Sequence, residues 1–379
     1  MDFDQITTED LFRIGGSKWS RMGDALGAFI AEMDFGLAEP IKARLHESID
    51  LGQSGYLTPR WTQDLQTSTT DFLSGRYGWS VSPDQVHAIP DVLAGMVITM
   101  NRHISPDARV IVPTPAYMPF MTLPGAYGHE LVQVPMIRAE GEWLVDFDAL
   151  DAAFGEGDLL VLCNPHNPIG KVYTADELAT ISEIVERHHG RVFNDEIHAP
   201  LTLNGARHIP YPTVSDAAAS HSITALSASK AWNLAGYKCA QLVITDGTTL
   251  QPTDLHEPAT PGVLANIAAY SDGEPWLAEV ITYLEGNQRL IQEMLPTVLP
   301  GVEFIPNQGT YLAWLDCTAL DLPTSPAKFF LDRANVAVTD GALCGEGGRG
   351  SVRLNFATPR PVLSEILERM GASAQEQLA

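Results

Sequence analysis

The sequence contains little cysteine, and its cysteines lie far apart. No two of them form a C-x-x-C pair; the four are Cys163, Cys239, Cys317 and Cys344. This spacing argues against a zinc cage and provides no disulfide framework. We therefore expect four reduced thiols, most of them buried, and no metal centre.

Basic residues are also scarce. The 379 residues include 23 Lys and Arg against 47 Asp and Glu, which gives a formal net charge of -24. A surface this acidic repels nucleic acid and anionic lipid, so we expect neither as a partner. An anionic ligand would have to be held by local hydrogen-bond donors.

Long apolar runs and internal repeats are missing as well. No run approaches the roughly 18 residues of a membrane span, and no period of roughly 20–50 residues recurs. The first residues, Met1–Asp4, are acidic and lack the basic-then-apolar order of a signal peptide. We therefore expect a cytoplasmic protein that does not associate with membranes.

What the sequence does contain is an alternation of short apolar runs with longer amphipathic ones. Continuous apolar runs such as Leu159–Cys163 are typical of strands covered on both faces. The alternation predicts an α/β fold with a mostly parallel, seven-stranded sheet. The predicted strands are Val86–Ile89, Arg109–Val112, Leu131–Val134, Leu159–Cys163, Arg191–Phe193, Ser222–Leu226 and Gln241–Ile244.

After about residue 272 the pattern changes to a long helix followed by short strands. We predict the helix at Trp276–Leu295, started by Pro275 and stopped by Pro296, and strands at Gly309–Leu315 and Ser351–Phe356. This pattern indicates a smaller α+β domain. The predicted division is a large domain at 36–272 and a small domain formed by 1–35 and 273–379. The polar tail, 371–379, lacks an apolar stripe and is predicted to be disordered.

Lys230 directly follows the predicted strand Ser222–Leu226, in the segment Ser227–Lys230. Open α/β sheets bind ligands at the carboxyl ends of their strands. A desolvated lysine amine is nucleophilic, and its Schiff base with pyridoxal 5′-phosphate (PLP) is a standard use, to which nearby serines can add phosphate contacts. Taken alone, the segment is also compatible with an ordinary surface lysine in a loop.

Two carboxylates, Asp195 and Glu196, follow the strand that begins at Arg191. PLP needs an acidic partner for its ring nitrogen, because the protonated ring is the electron sink. An aspartate at the end of a strand could supply that charge. A solvated acidic loop or a magnesium site explains the same residues.

Three further segments follow predicted strands. Asn167 begins the second of two Asn-Pro steps and could hydrogen-bond an oxygen of the cofactor, or simply belong to a turn. Tyr117 could stack on a planar ring or be a core residue. Asp91 begins a helix whose amides could bind phosphate, or is an ordinary N-cap. Because each motif follows a different strand, one crevice at the strand ends could gather them all.

Together these segments resemble the fold-type I PLP enzymes, the aspartate aminotransferase superfamily, over nearly the whole chain. The resemblance implies PLP as cofactor and Lys230, Asp195 and Tyr117 as catalytic residues. It implies that Arg353, in the predicted strand Ser351–Phe356, holds the carboxylate of the substrate, a task that suits a guanidinium fork. The cofactor-binding residues it implies are Tyr56, Val92, Leu93, Tyr117, Asn167, Asp195, His198, Ser227, Ser229, Lys230 and Lys238.

Within the superfamily the chain looks most like the cystathionine β-lyase and cysteine-S-conjugate β-lyase branch. The segments that carry this likeness are Ala31–Phe35, Gly55–Thr58, Asp195–His198 and Gly309–Trp314. The branch implies a homodimer with shared active sites, in which Tyr56 reaches the phosphate of the neighbouring subunit. It implies α,β-elimination from a thioether amino acid to a thiol, pyruvate and ammonia.

Two positions depart from the pattern of the superfamily. Lys238 stands where many aminotransferases have a phosphate-binding arginine, and Asp91 stands where glycine is usual. A carboxylate beside a phosphate is unfavourable unless it turns away to cap its helix. An aminotransferase, which uses the same residues, is the alternative function, and a regulatory or binding protein that retains the PLP site is a second alternative. For a dicarboxylate side chain, Arg60 is the nearest second arginine.

Overall fold

The computed structural model describes residues 2–378 except 249, 252, 253 and 255. The helices in the described part of the chain are α1 (Thr8–Ile14), α2 (Ser17–Ser20), α3 (Glu39–Asp50), α4 (Pro59–Tyr77), α5 (Val92–His103), α6 (Pro119–Ala126), α7 (Phe147–Ala153), α8 (Ala175–Arg187), α9 (Asp216–His221), α10 (Thr260–Asp272), α11 (Glu274–Val298), α12 (Pro326–Ala334) and α13 (Arg360–Leu378). The strands are β1 (Leu26–Gly27), β2 (Val86–Ile89), β3 (Val110–Thr114), β4 (Leu131–Pro135), β5 (Ile137–Ala139), β6 (Glu142–Leu144), β7 (Leu159–Cys163), β8 (Arg191–Asp195), β9 (Ser222–Leu226), β10 (Ala240–Ile244), β11 (Glu303–Phe304), β12 (Leu312–Asp316), β13 (Val336–Ala337), β14 (Thr339–Asp340) and β15 (Ser351–Asn355).

All seven predicted strands join one seven-stranded sheet in the order β2-β10-β9-β8-β7-β3-β4. Every neighbouring pair is parallel except the two that involve β10, which runs antiparallel to β2 and β9. The predicted α/β class with a mostly parallel sheet is therefore confirmed. Its strand order places the carboxyl ends of β2, β3, β7, β8 and β9 along one edge.

Strand β7 shows why this sheet is covered on both faces. Leu159, Val161 and Cys163 belong to an apolar core that also contains Met96 of α5. Leu160 and Leu162 belong to a second core on the other face, with residues of α7 and α8. Since successive side chains of a strand alternate between faces, a fully apolar strand requires such a double core.

A second, antiparallel sheet has the order β11-β12-β15-β14 and packs with α11, α12 and α13. The N-terminal segment joins this region, since Leu26 of β1 pairs with Val336 of β13 and Phe3 contacts the ring of Tyr283. The domain division at residues 35/36 and 272/273 stays a prediction.

Two predictions about the C-terminal region are wrong. Helix α11 does not stop at Pro296, because a proline removes only its own N–H donor and the last turn closes where Leu299 N–H donates to Leu295 O at 2.9 Å. The tail is helical to Leu378, within α13. Its Gly371 permits close approach to α11, where a Cβ would lie 2.4 Å from the Val298 carbonyl oxygen.

Candidate active site

The carboxyl ends of five strands open into one cavity of about 920 Å³. The loop after β2 brings Val92 and Leu93, and the other four strands bring one predicted motif each. This is the crevice at the strand ends where α/β sheets bind ligands. Predicted site residues that line the cavity are Val92, Leu93, Tyr117, Asn167, Asp195, His198, Ser227, Ser229, Lys230, Lys238 and Arg353.

Lys230 lies just beyond β9, and its ammonium group is enclosed by the cavity wall. Its Nζ donates to the backbone oxygen of Ala31 at 2.8 Å. Burial lowers the pKa of Lys230 to about 8, and the nearby charge of Arg353 acts in the same direction. A lysine in this state is neutral far more often near neutral pH than a solvated one, so its amine can act as a nucleophile and take up a proton.

Asp195 is the last residue of β8 and is only 3% exposed. One carboxylate oxygen, Oδ1, accepts a hydrogen bond from Ile197 N at 3.0 Å. Burial raises the pKa of Asp195 to about 7, while that backbone hydrogen bond and the charge of Lys230 oppose the rise. A cation placed against this buried carboxyl group would strongly stabilise its ionised form.

Glu196 does not share the cavity with Asp195. Its Oε1 accepts from Asn194 Nδ2 at 2.5 Å and from Tyr211 N at 2.9 Å, behind the strand end. Within the described ranges, no cluster of three or more His, Cys, Asp or Glu could hold a metal ion. The structure therefore gives no support to a magnesium site at this pair of carboxylates.

Arg353 projects from β15 and is 2% exposed. Its Nη1 donates to Asn167 Oδ1 at 3.2 Å, and its Nη2 donates to Phe29 O at 2.8 Å and to Thr339 Oγ1 at 3.2 Å. Its Nε is buried without a hydrogen-bond partner among the described residues. The guanidinium is thus fixed in orientation and retains a free donor, as expected for a group that binds a carboxylate.

At the other end of the cavity, the first turn of α5 presents backbone amides. The Asp91 carboxylate caps this helix, accepting from Ala94 N at 3.0 Å. The amides of Val92 and Leu93, at the first two positions of the helix, have no intrahelical acceptor. Such a pair at a helix N-terminus is suited to a phosphate group.

Two further side chains of the predicted set, those of Lys238 and Ser227, make contacts that the sequence did not indicate. Lys238 Nζ lies 3.0 Å from Asp91 Oδ2, so its charge is partly neutralised. Ser227 Oγ donates to Cys239 O at 2.6 Å and accepts from Ser229 N at 3.0 Å. The hydroxyl hydrogen of Ser227 is therefore already used, whereas Ser229, which also lines the cavity, contributes only its backbone N–H to this contact.

Tyr117 and His198 complete the predicted set inside the cavity. Tyr117 is partly buried, with its ring edge-on to Phe120 at 5.4 Å between centroids. His198 is buried, and its Nδ1 has no partner among the described residues. Burial, together with the charges of Lys230 and Arg353, holds the pKa of His198 well below its ordinary value, so its ring is neutral.

Two residues singled out in the sequence lie outside the cavity. Tyr56 lies in the loop between α3 and α4 and is 90% exposed. Arg60 is a surface residue of α4 whose nearest carboxylate is that of Asp64, at 3.9 Å. Arg60 therefore does not provide a second arginine for a dicarboxylate in this cavity.

One element of the site was not predicted from the sequence, namely the segment Phe29–Glu32, although Ala31 and Glu32 belong to a stretch that carries the family resemblance. It runs across the cavity and is held by its backbone oxygens: Ala31 O accepts from Tyr311 Oη at 2.9 Å, and Asn355 Nδ2 donates to Ile30 O and Glu32 O at 2.6 Å each. These contacts join chain positions more than 270 residues apart. No local pattern in the sequence signals them.

The cavity fits PLP on the chemistry of its own groups. Free helix amides at Val92 and Leu93 suit the phosphate, and a buried carboxylate at Asp195 suits a protonated ring nitrogen. The pKa of Lys230 is lowered, as a lysine that carries an aldehyde requires. Two buried nitrogens, His198 Nδ1 and Arg353 Nε, lack partners in the described part of the protein and could hydrogen-bond a ligand.

A family model for aminotransferase class I and II matches residues 32–370, most of the chain. The protein belongs to the class I and II aminotransferase family. Cystathionine beta-lyase PatB of Bacillus subtilis is 32% identical, and the match covers 98% of this chain and all of PatB. Cystathionine beta-lyase of Corynebacterium glutamicum is 33% identical over 94% of this chain and 95% of that protein.

Solved structures agree with this family assignment. The crystal structure of the PLP-bound C-S lyase from Staphylococcus hominis superposes with a TM-score of 0.88 and 27% identity, covering 98% of each chain. The fold of this class I and II aminotransferase family member is therefore that of fold-type I PLP enzymes. Among the described residues, no helix is long and apolar enough to cross a membrane.

Proposed function

We propose that this protein is a PLP-dependent carbon–sulfur β-lyase that cleaves cystathionine or cysteine S-conjugates into a thiol, pyruvate and ammonia. The observation that carries the proposal is the meeting of Lys230, Asp195 and Arg353 in one cavity. An amine with a lowered pKa, a buried carboxylate and a fixed guanidinium are the groups that amino-acid chemistry on PLP requires. The lyase names of the relatives favour elimination as the outcome.

The cofactor is proposed to lie between α5 and the end of β8. Val92 and Leu93 amides and the Ser229 hydroxyl bind its phosphate, Asp195 pairs with its ring nitrogen, and Tyr117 covers its ring. The other residues proposed to bind the cofactor are Asn167, Ser227, His198 and Lys238. When bound, PLP withdraws electrons from the α-carbon of the amino acid whose amine it carries.

The residues of the chain orient the substrate and move its α-proton. Arg353 binds the α-carboxylate, which fixes the bond that is to be broken relative to Lys230. The Lys230 amine, with its pKa of about 8, accepts the α-proton. The Cβ–S bond of the substrate then breaks, and its electron pair leaves with sulfur as a thiolate. The remaining enamine hydrolyses to pyruvate and ammonia.

An aminotransferase would use the same residues, so the site alone does not separate the two reactions. The resemblance favours the lyase, because the lyase branch commonly lacks the phosphate-binding arginine, and Lys238, which is paired with Asp91, stands at that position here. The direct test is to incubate purified holoenzyme with L-cystathionine, with and without a 2-oxo acid, and to measure pyruvate. Equal pyruvate release in both arms supports the proposal. An aminotransferase would leave the C–S bond intact, release no pyruvate and convert the added 2-oxo acid into its amino acid, which would contradict the proposal. PLP binding without either reaction would indicate a regulatory protein.

The Asp91 carboxylate gives a prediction about cofactor affinity. Asp91→Asn retains a good N-cap for α5 but removes a negative charge next to the proposed phosphate site and frees Lys238. We expect PLP to bind several-fold more tightly, with thermal stability unchanged. Asp91→Ala is the matched control, since it also removes the cap and should cost about 1 kcal/mol of stability. Equilibrium dialysis would measure the affinity, and unchanged or weaker binding by Asp91→Asn would contradict the expected repulsion.

We also propose that the protein is cytoplasmic and forms a homodimer with shared sites. The exposed Tyr56 supports the sharing of sites. Tyr56 is 90% exposed and does not line the cavity of its own chain, so a role at the phosphate would place it in the site of another subunit. Tyr56→Phe and Lys230→Ala subunits, co-expressed with different tags, should form hybrids in which one of two sites has both native residues. With random pairing, about a quarter of the wild-type activity should return at limiting PLP. If the purified hybrid is no more active than the parents, or light scattering shows an active monomer, sharing is excluded.

A further inference from the structure

The cavity extends beyond the groups proposed to hold PLP and the α-carboxylate. Its volume of about 920 Å³ is at the upper end of the roughly 300–1,000 Å³ typical of ligand pockets. The remaining wall comes from the turn after α2, from one side of α12 and from the loop after β14. Because these residues are largely exposed whereas Arg353 is buried, they form the mouth of the cavity.

The mouth has an apolar part. Met22 is 42% exposed and Leu343 is 60% exposed, and both line the cavity together with Leu331 of α12. Covering large apolar side chains that are left in water at a cavity mouth favours the binding of a ligand with an apolar part. The sulfur substituent of a thioether substrate, which must extend away from the buried Lys230, could provide the methylene groups that do so.

The charged groups at the mouth differ in whether they have an ion-pair or hydrogen-bond partner. Lys328 Nζ is paired with Asp332 Oδ2 at 2.6 Å, and the Asp340 carboxylate accepts from Ala342 N at 3.0 Å. Glu32 also lines the cavity, and its negative charge opposes the lowering of the Lys230 pKa by burial. Arg21 has no ion-pair partner among the described residues. In a chain with a formal net charge of -24, a cation left without a carboxylate is a candidate for binding one from a ligand.

The backbone of Arg21 is held in place by buried contacts. Arg21 follows α2, and its N–H donates to Ser17 O at 3.3 Å. Helix α2 is anchored where Lys18 Nζ and Trp19 Nε1 bind the two carboxylate oxygens of Asp34, at 2.7 Å and 2.8 Å. Asp34 continues the segment that crosses the cavity, so the position of Arg21 is fixed relative to the site.

We propose that Arg21 binds a carboxylate on the leaving thiol of the substrate. The preferred substrates are then thioethers whose sulfur carries a short methylene chain that ends in a carboxylate. The methylenes contact Met22 and Leu343, and the carboxylate pairs with the Arg21 guanidinium. This inference rests on the proposed β-lyase function and specifies which part of the substrate is recognised at the mouth.

The test compares S-(3-carboxypropyl)-L-cysteine with S-butyl-L-cysteine, which have the same chain length but differ in the carboxylate. The wild-type holoenzyme should prefer the first by about tenfold in kcat/KM, or ~1.4 kcal/mol. Arg21→Gln should remove this preference by lowering kcat/KM for the carboxylate substrate only, and Arg21→Lys should retain part of it. Arg13→Ala, which removes an exposed arginine of α1, is the matched control and should change neither value.

Two outcomes would overturn the inference. An equal loss on both substrates would mean that Arg21 is only structural, and no loss on either would mean that it does not contact the substrate. If wild-type enzyme releases no pyruvate from either compound, the proposed function fails. Calorimetric titration of both compounds into wild-type and Arg21→Gln holoenzyme then still decides the role of Arg21, since only wild type should bind the carboxylate compound more tightly.

Discussion

Lys230→Ala should abolish pyruvate release from cystathionine, with a loss of at least about 10³-fold, because the variant lacks the amine that carries the cofactor and moves the α-proton. No other lysine can replace it without a change in structure. Two other lysines line the cavity among the described residues: Lys238 is engaged with Asp91, and Lys328 is paired with Asp332. The rate should be measured at saturating PLP, so that weaker cofactor binding does not contribute.

Chemical labelling gives the control for this result. Borohydride should fix the cofactor to the peptide that contains Lys230 in the wild-type protein, and it should give no labelled peptide in Lys230→Ala. Lys238→Ala is the matched variant, since it removes a lysine of the same cavity and should retain the label on Lys230. Label on another lysine, or turnover within tenfold of wild type by Lys230→Ala, would refute the assignment.

Asp195→Asn should lower kcat by about 10²- to 10³-fold while the protein still binds PLP. The carboxamide has nearly the same shape and can still accept the hydrogen bond from Ile197 N, so the packing around this buried position is preserved. It is neutral, however, and no longer stabilises a protonated ring nitrogen. The lost charge should therefore slow the step in which the α-carbon becomes electron-rich. Its effect should appear in kcat rather than in cofactor occupancy.

Glu196→Gln is the control for this prediction, because Glu196 is also buried but is held by Asn194 and the Tyr211 amide outside the cavity. We expect its kcat to stay within about threefold of wild type. Absorbance of the bound cofactor and steady-state rates would be compared for the two variants. A near-normal kcat in Asp195→Asn would mean that another acid serves the ring.

The large sheet could be predicted from the sequence because each of its strands is a short stretch in which apolar residues predominate or alternate with polar ones. Strands β2, β7 and β9 have the predicted bounds, and the residues that follow the predicted strands line one cavity. Helices α3 and α4 were not predicted. Only Leu65, Thr69 and Leu73 are buried in α4, which leaves too narrow an apolar stripe to reveal it.

The contacts that shape the site in detail could not be predicted, because they join distant parts of the chain. The pairing of Lys238 with Asp91 and the hydrogen bond from Ser227 to Cys239 depend on how two loops meet. The stretch Ala31–Phe35 carries part of the resemblance, but the role of the segment Phe29–Glu32 in enclosing Lys230 depends on Asn355 and Tyr311. Both residues lie in the C-terminal part of the chain.

The choice between elimination and amino transfer is made after the α-proton has left the substrate. Elimination dominates when the thiolate leaves faster than a proton returns. The second arginine that lines the cavity, Arg21, is exposed at its mouth, whereas Arg353 is buried. A dicarboxylate such as aspartate, whose two carboxylates are close together, is therefore not clamped by a buried pair of arginines.

The most direct test of the account is a competition between the two reactions in one preparation of holoenzyme. Cystathionine or an S-aryl cysteine would be supplied alone, and aspartate or alanine would be supplied with 2-oxoglutarate; thiol and pyruvate release would be compared with glutamate formation. We predict that elimination is faster by at least about tenfold, a difference of ~1.4 kcal/mol in barrier. Faster amino transfer would contradict the assignment as a carbon–sulfur lyase.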